Sequence, residues 1–130
     1  MKLLIGTLLC LSAISAQAAN RKVATQGIEC KSDLYTIRIP VGAADMLIGD
    51  VTLTSAADPI DNAAFTKARV AGFWLTENHL FLRVVDQNMD GNILLLETNA
   101  KSGKFAGKVS YAAEARATKT FNTETVTCIR

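Results

Sequence analysis

Residues 104–111 read KFAGKVSY, and this stretch decides the fold class because its apolar and polar side chains alternate. Phe105, Val109 and Tyr111 fall on one face of an extended chain, whereas the two lysines fall on the other. A period of two is typical of a β-strand with one buried face and one face in water. The stretch therefore predicts a half-buried antiparallel strand.

Six further segments carry strand signals. Residues 34–39 and 49–53 alternate in the same way, and Pro40 ends the first of them because proline cannot donate to a strand ladder. In the middle of the chain, apolar residues occur on both faces, which fits either strands covered on both sides or helix. The turn-rich gaps between these segments favour strands. The three segments in the middle of the chain are residues 68–75, 80–85 and 93–96, and the threonine-rich C-terminal run, residues 120–129, is the sixth.

Two connections differ from simple hairpin turns. Residues 55–66 contain Asp58-Pro59 and Asp61-Asn62, which are turn-forming pairs. This segment is expected to be the longest irregular connection, with room for one helical turn. Residues 112–119 are rich in alanine, and their pattern fits a strand extension, a bend or a short helix.

The seven predicted strands, with an eighth around residues 22–30, follow one another as a meander. An antiparallel meander of this size removes its exposed edges by closing into a barrel or by folding into a two-sheet sandwich. The 130 residues leave room for one such domain. We therefore predict an all-β fold, either a small barrel of seven or eight strands or a sandwich.

The N-terminal stretch predicts export. Lys2 is followed by an apolar run over residues 3–16 and then by Ala16-Gln17-Ala18, a small-residue cleavage signal. We predict a signal peptide over residues 1–18 and a folded domain over residues 19–130. The apolar run is too short to span a membrane comfortably. The expected location is periplasmic or extracellular, and the sequence does not decide between the two.

The cysteines predict a disulfide. Of the three in the chain, Cys10 lies in the predicted signal peptide, which leaves Cys30 and Cys128. An even pair in an exported chain favours a disulfide. It would close a loop of about 100 residues, for which chain entropy suggests on the order of 4–5 kcal/mol. In the predicted fold, this bond links the first strand to the last.

Charge excludes two classes of partner. The chain has 14 Lys and Arg residues, one of them Lys2, so 13 face 12 Asp and Glu after cleavage. This balance gives no electrostatic basis for binding nucleic acid. The lysines over residues 101–108 are spaced as on a solvated strand face and are too sparse for a membrane anchor. Apart from residues 120–129, the seven predicted strands are also shorter than the nine to eleven residues of a transmembrane barrel, so we expect a protein that does not span a membrane.

One segment suggests a metal. Residues 86–97 read DQNMDGNILLLE, which resembles the twelve-residue calcium loop of EF-hands. The resemblance implies a Ca²⁺ site. Its ligands would be side-chain oxygens of Asp86, Asn88 and Asp90, the carbonyl of Asn92, and Glu97 through both carboxylate oxygens.

The backbone after this loop tests the resemblance. Glu97 lies five residues beyond Asn92. An extended chain carries it about 16 Å away, out of reach of the ion, whereas a helix returns it. If the strand prediction holds, only Asp86, Asn88, Asp90 and Asn92 remain as ligands. The alternative is that these residues simply form a turn, since Asp, Asn and Gly favour turns.

No catalytic constellation is evident, and we expect a protein that is not an enzyme. His79 is the sole histidine, so any Ser-His-Asp or Cys-His site would need it, and its neighbours indicate an exposed hairpin turn. The carboxylates fall in turns or on outward faces. Trp74, beside Phe73, is expected to fill the core or one end of the barrel.

Three functions fit these features. The first is a binding or inhibitor-type module whose loops contact another protein or an envelope component. The second is a calcium-binding β-protein that uses residues 86–97. The third is a lipocalin-like carrier of a small ligand, although inward residues such as Val51, Leu53 and Phe105 are large enough to fill the interior.

Overall fold

The computed structural model describes residues 27–85, 91–114 and 120–130. The predicted signal peptide and residues 86–90 therefore lie outside the described residues. The described part contains nine strands and two short 3₁₀ turns, Pro59–Asp61 and Lys67–Arg69. The strands are β1 Ile28–Lys31, β2 Tyr35–Ile39, β3 Val51–Ser55, β4 Ala63–Phe65, β5 Val70–Leu75, β6 His79–Val84, β7 Ile93–Lys101, β8 Lys104–Ala112 and β9 Asn122–Ile129.

All nine strands form one antiparallel sheet in the order β4-β3-β2-β1-β9-β8-β7-β6-β5. Each strand lies beside its neighbour in sequence, except that β1 pairs with β9 and β4 does not pair with β5. The sheet curls into a nearly closed barrel. The all-β prediction is confirmed, and of its two architectures the barrel describes the sheet.

The barrel stays open between β4 and β5 for a topological reason. Every neighbouring pair is antiparallel, and an odd number of strands therefore leaves the two edge strands running in the same direction. A parallel pair needs a crossover of a dozen or more residues. Only residues 66–69 join β4 to β5, so these strands cannot pair along their length.

The strand alternation fills the barrel interior with aliphatic and aromatic side chains. Tyr35, Ile37 and Ile39 of β2 are buried, as are Phe105, Val109 and Tyr111 of β8. The central strands contribute residues that are fully buried, namely Leu80, Leu82, Val84, Leu94 and Leu96. These side chains pack into one continuous core. Burial of this apolar surface drives closure of the sheet.

The apolar residues on the outer face of β5 to β7 are not covered by a second layer within the described part of the chain. Leu95 is partly exposed, and Trp74 of β5 is 64% exposed on the outside of the barrel. The expectation that Trp74 fills the core or a barrel end is therefore wrong. Phe73 points inward instead and packs against the core. In a period-two strand, only one of two adjacent aromatic residues can face inward.

The strand count exceeds the prediction by β4. This three-residue strand lies inside the segment expected to be irregular, and it pairs with β3 through Ala63, Ala64 and Phe65. The helical turn expected in the same segment is the 3₁₀ turn Pro59–Asp61, which Asp58 caps by accepting a hydrogen bond from the backbone N–H of Ile60. The alanine-rich segment begins as a continuation of β8 through Ala112.

The predicted disulfide is present. Cys30 of β1 and Cys128 of β9 are directly opposite each other in the sheet, and both are fully buried. Their Cα atoms are 3.9 Å apart, and the bond joins residues 98 positions apart in the chain. The disulfide thus links the first and last described strands. Within the described residues, no helix has the length and hydrophobicity to cross a membrane.

Candidate functional site

A cleft of about 630 Å³ lies at one end of the barrel, and we call it the mouth cleft. Four separate segments supply its walls: the β1–β2 turn, the connection that follows β3, the end of β8 and the start of β9. Its lining residues are Leu34, Tyr35, Ser55, Ala57, Asp61, Tyr111, Ala113, Thr120, Phe121 and Asn122.

Two tyrosines form the floor of the mouth cleft. The rings of Tyr35 and Tyr111 meet edge to face, with centroids 5.4 Å apart and an interplanar angle of 79°. Both side chains lie on inward positions of their strands and are buried. The floor therefore belongs to the rigid core, while the loops above it form the rim.

The Tyr111 hydroxyl ties β8 to the 3₁₀ turn. It donates a hydrogen bond to the backbone carbonyl of Asp61 over 2.8 Å, and the side-chain oxygen of Asn92 lies 3.3 Å away. Burial raises the pKa of the Tyr111 phenol above its usual range, and the nearby Asp61 carboxylate reinforces the shift. Tyr111 therefore stays a neutral hydrogen-bond donor.

A second polar network joins β9 to the β1–β2 turn. The side-chain amide of Asn122 donates to the Tyr35 hydroxyl over 3.0 Å and to Glu124 Oε2 over 3.0 Å. The other oxygen of Glu124 accepts the backbone N–H of Leu34 over 3.1 Å. These bonds fix one wall of the mouth cleft relative to its floor.

Phe121 gives the rim an apolar anchor. It immediately precedes β9, lines the mouth cleft and is 50% exposed. A half-exposed aromatic ring beside an ordered polar network resembles the centre of many protein-binding surfaces. The site thus combines a buried aromatic floor, hydrogen-bonded polar side chains and one exposed apolar side chain.

The EF-hand resemblance fails at its last ligand. Glu97 lies in the middle of β7 and is exposed beside Phe81 and Lys108, its cross-strand neighbours. The chain from Ile93 onward is extended, so the Glu97 carboxylate is too far from Asn92 to share an ion with it. The strand prediction at this point is confirmed.

The remaining calcium ligands divide between described and undescribed positions. Asp86, Asn88 and Asp90 lie outside the described residues. The side-chain oxygen of Asn92 accepts the backbone N–H of Glu114 over 2.6 Å, which leaves its own carbonyl as the predicted ligand atom. The described residues contain no group of three or more His, Cys, Asp and Glu side chains suited to a metal. The four-residue calcium set stays a prediction.

His79 is partly exposed at the first position of β6. Its Nδ1 lies 3.0 Å from the side-chain oxygen of Asn99 on the adjacent strand. This contact is a cross-strand polar pair on the outside of the barrel. The position at the start of β6, next to the hairpin turn, agrees with the expected surface histidine.

A second cleft, of about 520 Å³, lies near the opposite end of the barrel against β1, β2 and β9. Glu29 lines it and bridges to Lys31 and Arg38, each over 3.2 Å. The Lys31 and Arg38 hydrogen bonds lower the pKa of Glu29 below its usual range. The two basic side chains are largely in solvent and Glu29 is partly exposed, so these ion pairs contribute little to stability.

Sequence reasoning placed Tyr35 and Tyr111 on inward faces but did not join them into a site. Their partners Asp61, Asn92 and Asn122 lie in segments far apart in the chain. A usable signal was present, because both tyrosines are the polar members of otherwise apolar inward rows. A buried tyrosine hydroxyl requires a hydrogen-bond partner.

Comparisons of the chain with protein-family models, with curated proteins and with solved structures found no match.

Proposed function

We propose that this protein is an exported, non-enzymatic binding or inhibitor-type module that contacts another protein or an envelope component through the rim of the mouth cleft. One observation carries the proposal: the half-exposed Phe121 stands beside the ordered Tyr35–Asn122–Glu124 network. An aromatic anchor on a rigid scaffold loses little conformational freedom on binding. The buried disulfide and the packed core supply that rigidity.

The test compares two exposed apolar residues at opposite ends of the barrel. Phe121 is 50% exposed at the mouth cleft, and Ile48 is 57% exposed near the end of β2, where its backbone N–H donates to Pro40. The purified protein, Phe121→Ala and Ile48→Ala are immobilised and incubated with envelope extract and with culture medium. We expect a protein that is captured by the wild type and by Ile48→Ala, with capture reduced at least about tenfold by Phe121→Ala.

Two results would contradict the proposal. The first is repeated capture of nothing from both sources. The second is equal loss of capture in Phe121→Ala and Ile48→Ala, which would indicate general surface stickiness and not recognition at the mouth cleft. Because both side chains are at least half exposed, we expect both variants to fold. The melting temperature of each variant checks this.

A small-ligand carrier is the second candidate, and the size of the mouth cleft favours it. Its volume of about 630 Å³ lies in the range of small-molecule sites. The interior positions below it hold buried side chains, so the ligand would sit at the mouth and not inside the barrel. Native mass spectrometry of the purified protein supports this function if it finds a bound lipid or cofactor that Phe121→Ala loses.

Calcium binding by residues 86–92 is the third. Without Glu97, binding of Ca²⁺ would be weak, and it would stabilise the folded state by mass action. A rise in melting temperature with Ca²⁺ that is absent with Mg²⁺, and is abolished by Asp86→Ala with Asp90→Ala, supports it. An equal rise in the double variant contradicts it.

A further inference from the structure

Among the described strands, none pairs with the outer edge of β5, at the open side of the barrel. β5 pairs with β6 on one side, whereas β4 makes almost no close backbone approach to it on the other. β4 has three residues, and β5 has six. A strand of this length with a free edge can pair with another strand. The most exposed large apolar residue in the described part of the chain, Trp74, lies on this edge strand.

The hairpin after β5 determines which backbone groups face the open edge. Thr76 N–H donates to the carbonyl of His79, which makes these two residues a hydrogen-bonded pair that closes a two-residue turn. Hydrogen-bonded and non-hydrogen-bonded pairs alternate along an antiparallel ladder. Trp74 and Gly72 therefore direct their N–H and C=O groups towards β6. The N–H and C=O groups of Phe73 and Leu75 face outward.

We propose that two copies of this chain pair through antiparallel β5 edges, with Phe73 opposite Phe73 on a two-fold axis. In this register Phe73 exchanges both hydrogen bonds with its counterpart, and Trp74 lies opposite Gly72. The regular pairing is limited to Gly72–Trp74, because the register of β5 with β6 shifts between Val70 and Gly72. The outward groups of each edge thus meet outward groups of the other. A register shifted by one residue would place Phe73 opposite Gly72 or Trp74. The N–H and C=O groups of those residues point towards β6, so the bonds between the copies would be lost.

Side-chain shape favours the same register. Trp74 of one copy lies opposite Gly72 of the other on the outer face, where the indole would meet the glycine backbone and the Phe81 ring beside it. Gly72 pairs in its own sheet with Arg83, which is exposed and projects from the same face. The indole of the first copy would cover Gly72 and reach the guanidinium of Arg83 in the second. The two-fold axis makes this contact twice.

Charge favours an antiparallel pairing of the same strand. Lys67 and Arg69 precede β5, and Glu77 follows it. β5 itself carries no charged residue. When two copies run in opposite directions, the basic start of each β5 lies beside the acidic end of the other. A parallel arrangement would place basic ends together and acidic ends together.

The self-complementarity of β5 favours a second copy over an extended peptide of another protein. A foreign strand would also satisfy the backbone groups, but the Trp74–Gly72 fit and the opposite charges at the two ends require the same sequence on both sides. The mouth cleft stays open in the dimer, because none of its lining residues belongs to β5.

Sedimentation velocity of the purified protein over a concentration series tests the proposal. We expect a dimer whose dissociation constant rises at least about tenfold in Trp74→Lys, which removes the indole and places a charge on the edge. Leu95→Lys is the matched control, since Leu95 is partly exposed on the same outer face but lies in β7, which is paired on both sides. It should dimerise like the wild type.

A monomer at all concentrations overturns the proposal, even if a foreign peptide binds the edge. Equal weakening by Trp74→Lys and Leu95→Lys also overturns it, because the contact would then involve the face and not the edge. Trp74→Ala provides a milder edge variant if the lysine variant does not fold, and it should weaken dimerisation in the same direction.

Chemical cross-linking tests the register. A carbodiimide joins lysine amines to carboxylates in contact, and a mixture of isotopically light and heavy protein identifies links between copies. The antiparallel register predicts a Lys67–Glu77 link between copies that Trp74→Lys strongly reduces. A dimer that yields inter-copy links only elsewhere contradicts this register.

Discussion

Gly107 occupies a point where β7 leaves no space for a side chain on β8. A Cβ atom at this position would lie 2.1 Å from the carbonyl oxygen of Glu97 and 2.7 Å from the Cα of Thr98. Both are backbone atoms, which cannot move without breaking the β7–β8 ladder. The neighbouring Thr98 is fully buried and donates its hydroxyl to the Leu80 carbonyl over 3.1 Å, so the strand cannot shift freely.

Gly107→Ala should therefore reduce the free energy of unfolding by about 3 kcal/mol or more. Gly103→Ala is the control at the turn of the same hairpin, where φ is +79° and no atom lies within 4 Å of the added Cβ. It should cost only about 1 kcal/mol, from the left-handed backbone alone. Urea denaturation measures both values. Equal effects of the two substitutions would contradict the crowding argument.

Tyr111 makes stability depend on high pH. Its pKa is raised in the folded protein by burial. In the unfolded chain, the phenol ionises at its usual pKa, so the folded state holds one more proton above that pH. Stability should therefore be unaffected by this group as the pH rises from about 8 to about 10 and should fall as it rises further to about 11. Melting temperatures over this range should fall less steeply for Tyr111→Phe, and an unchanged slope would argue against this linkage.

The same hydroxyl has a role at neutral pH. Tyr111→Phe removes the donor to the Asp61 carbonyl, with an expected loss of about 1–2 kcal/mol. Ser110→Ala is a neighbouring control on the outer face, where the hydroxyl contacts Thr123 in solvent over 2.8 Å. That change should cost less than about 0.5 kcal/mol. Equal losses in urea denaturation would show that the mouth network adds nothing.

At the scale of elements, the β1–β9 junction carries the covalent link. β1 has four residues and pairs with β9 at only three positions, one of which is the Cys30–Cys128 pair. Removing the bond with Cys30→Ala and Cys128→Ala should lower the free energy of unfolding by on the order of 4–5 kcal/mol, since the closed loop is long. Urea denaturation of the double variant measures the loss.

Reduction of the wild type in the absence of denaturant tests whether the β1–β9 junction opens on its own. Because both sulfur atoms are fully buried, reduction should need transient opening of the β1–β9 pair and should be slow until the protein unfolds. Rapid reduction of the native protein would mean that this junction opens independently of the rest of the barrel.

Elements with a strict alternation were predictable from the sequence, and those without one were not. β8 and β2 alternate because one face meets the core and the other meets water. β4 has the sequence Ala-Ala-Phe, too short to show a period, so it was read as part of an irregular connection. In β5, two adjacent aromatic residues gave no basis for deciding which faces outward, and Trp74 was assigned to the wrong side.

The candidate site was less accessible to sequence reasoning than the fold. The mouth cleft joins residues from four segments that come together only when β1 pairs with β9 and the sheet curls. Local patterns report on the face of one strand, whereas strand order and curvature decide which ends meet. The calcium prediction shows the same limit, since its last ligand depended on whether residues beyond Asn92 were extended.

At the scale of the whole molecule, the gap between the edge strands β4 and β5, which we call the seam, makes local stability uneven around the barrel. β7 and β8 are each paired on both sides over long ladders, whereas β5 is paired on one side. In monomeric Trp74→Lys, the outward amides of Phe73 and Leu75 should exchange with solvent far faster than those of Leu96 and Val109. Amide exchange followed by NMR measures this difference, and uniform protection would mean that the seam is closed in solution.

The link between β1 and β9 also changes what a single backbone cut would do. The connection over residues 66–69 is exposed at most positions and contains Lys67 and Arg69, both trypsin sites. Cleavage there divides the barrel into two fragments, one ending with β4 and the other beginning with β5. These fragments would still share the β1–β9 ladder and its covalent sulfur bridge, so the nicked barrel should migrate as one piece until a reductant is added. The disulfide and the peptide backbone together close the described strands into a covalent ring, and the β4–β5 connection is the point at which one cut opens it.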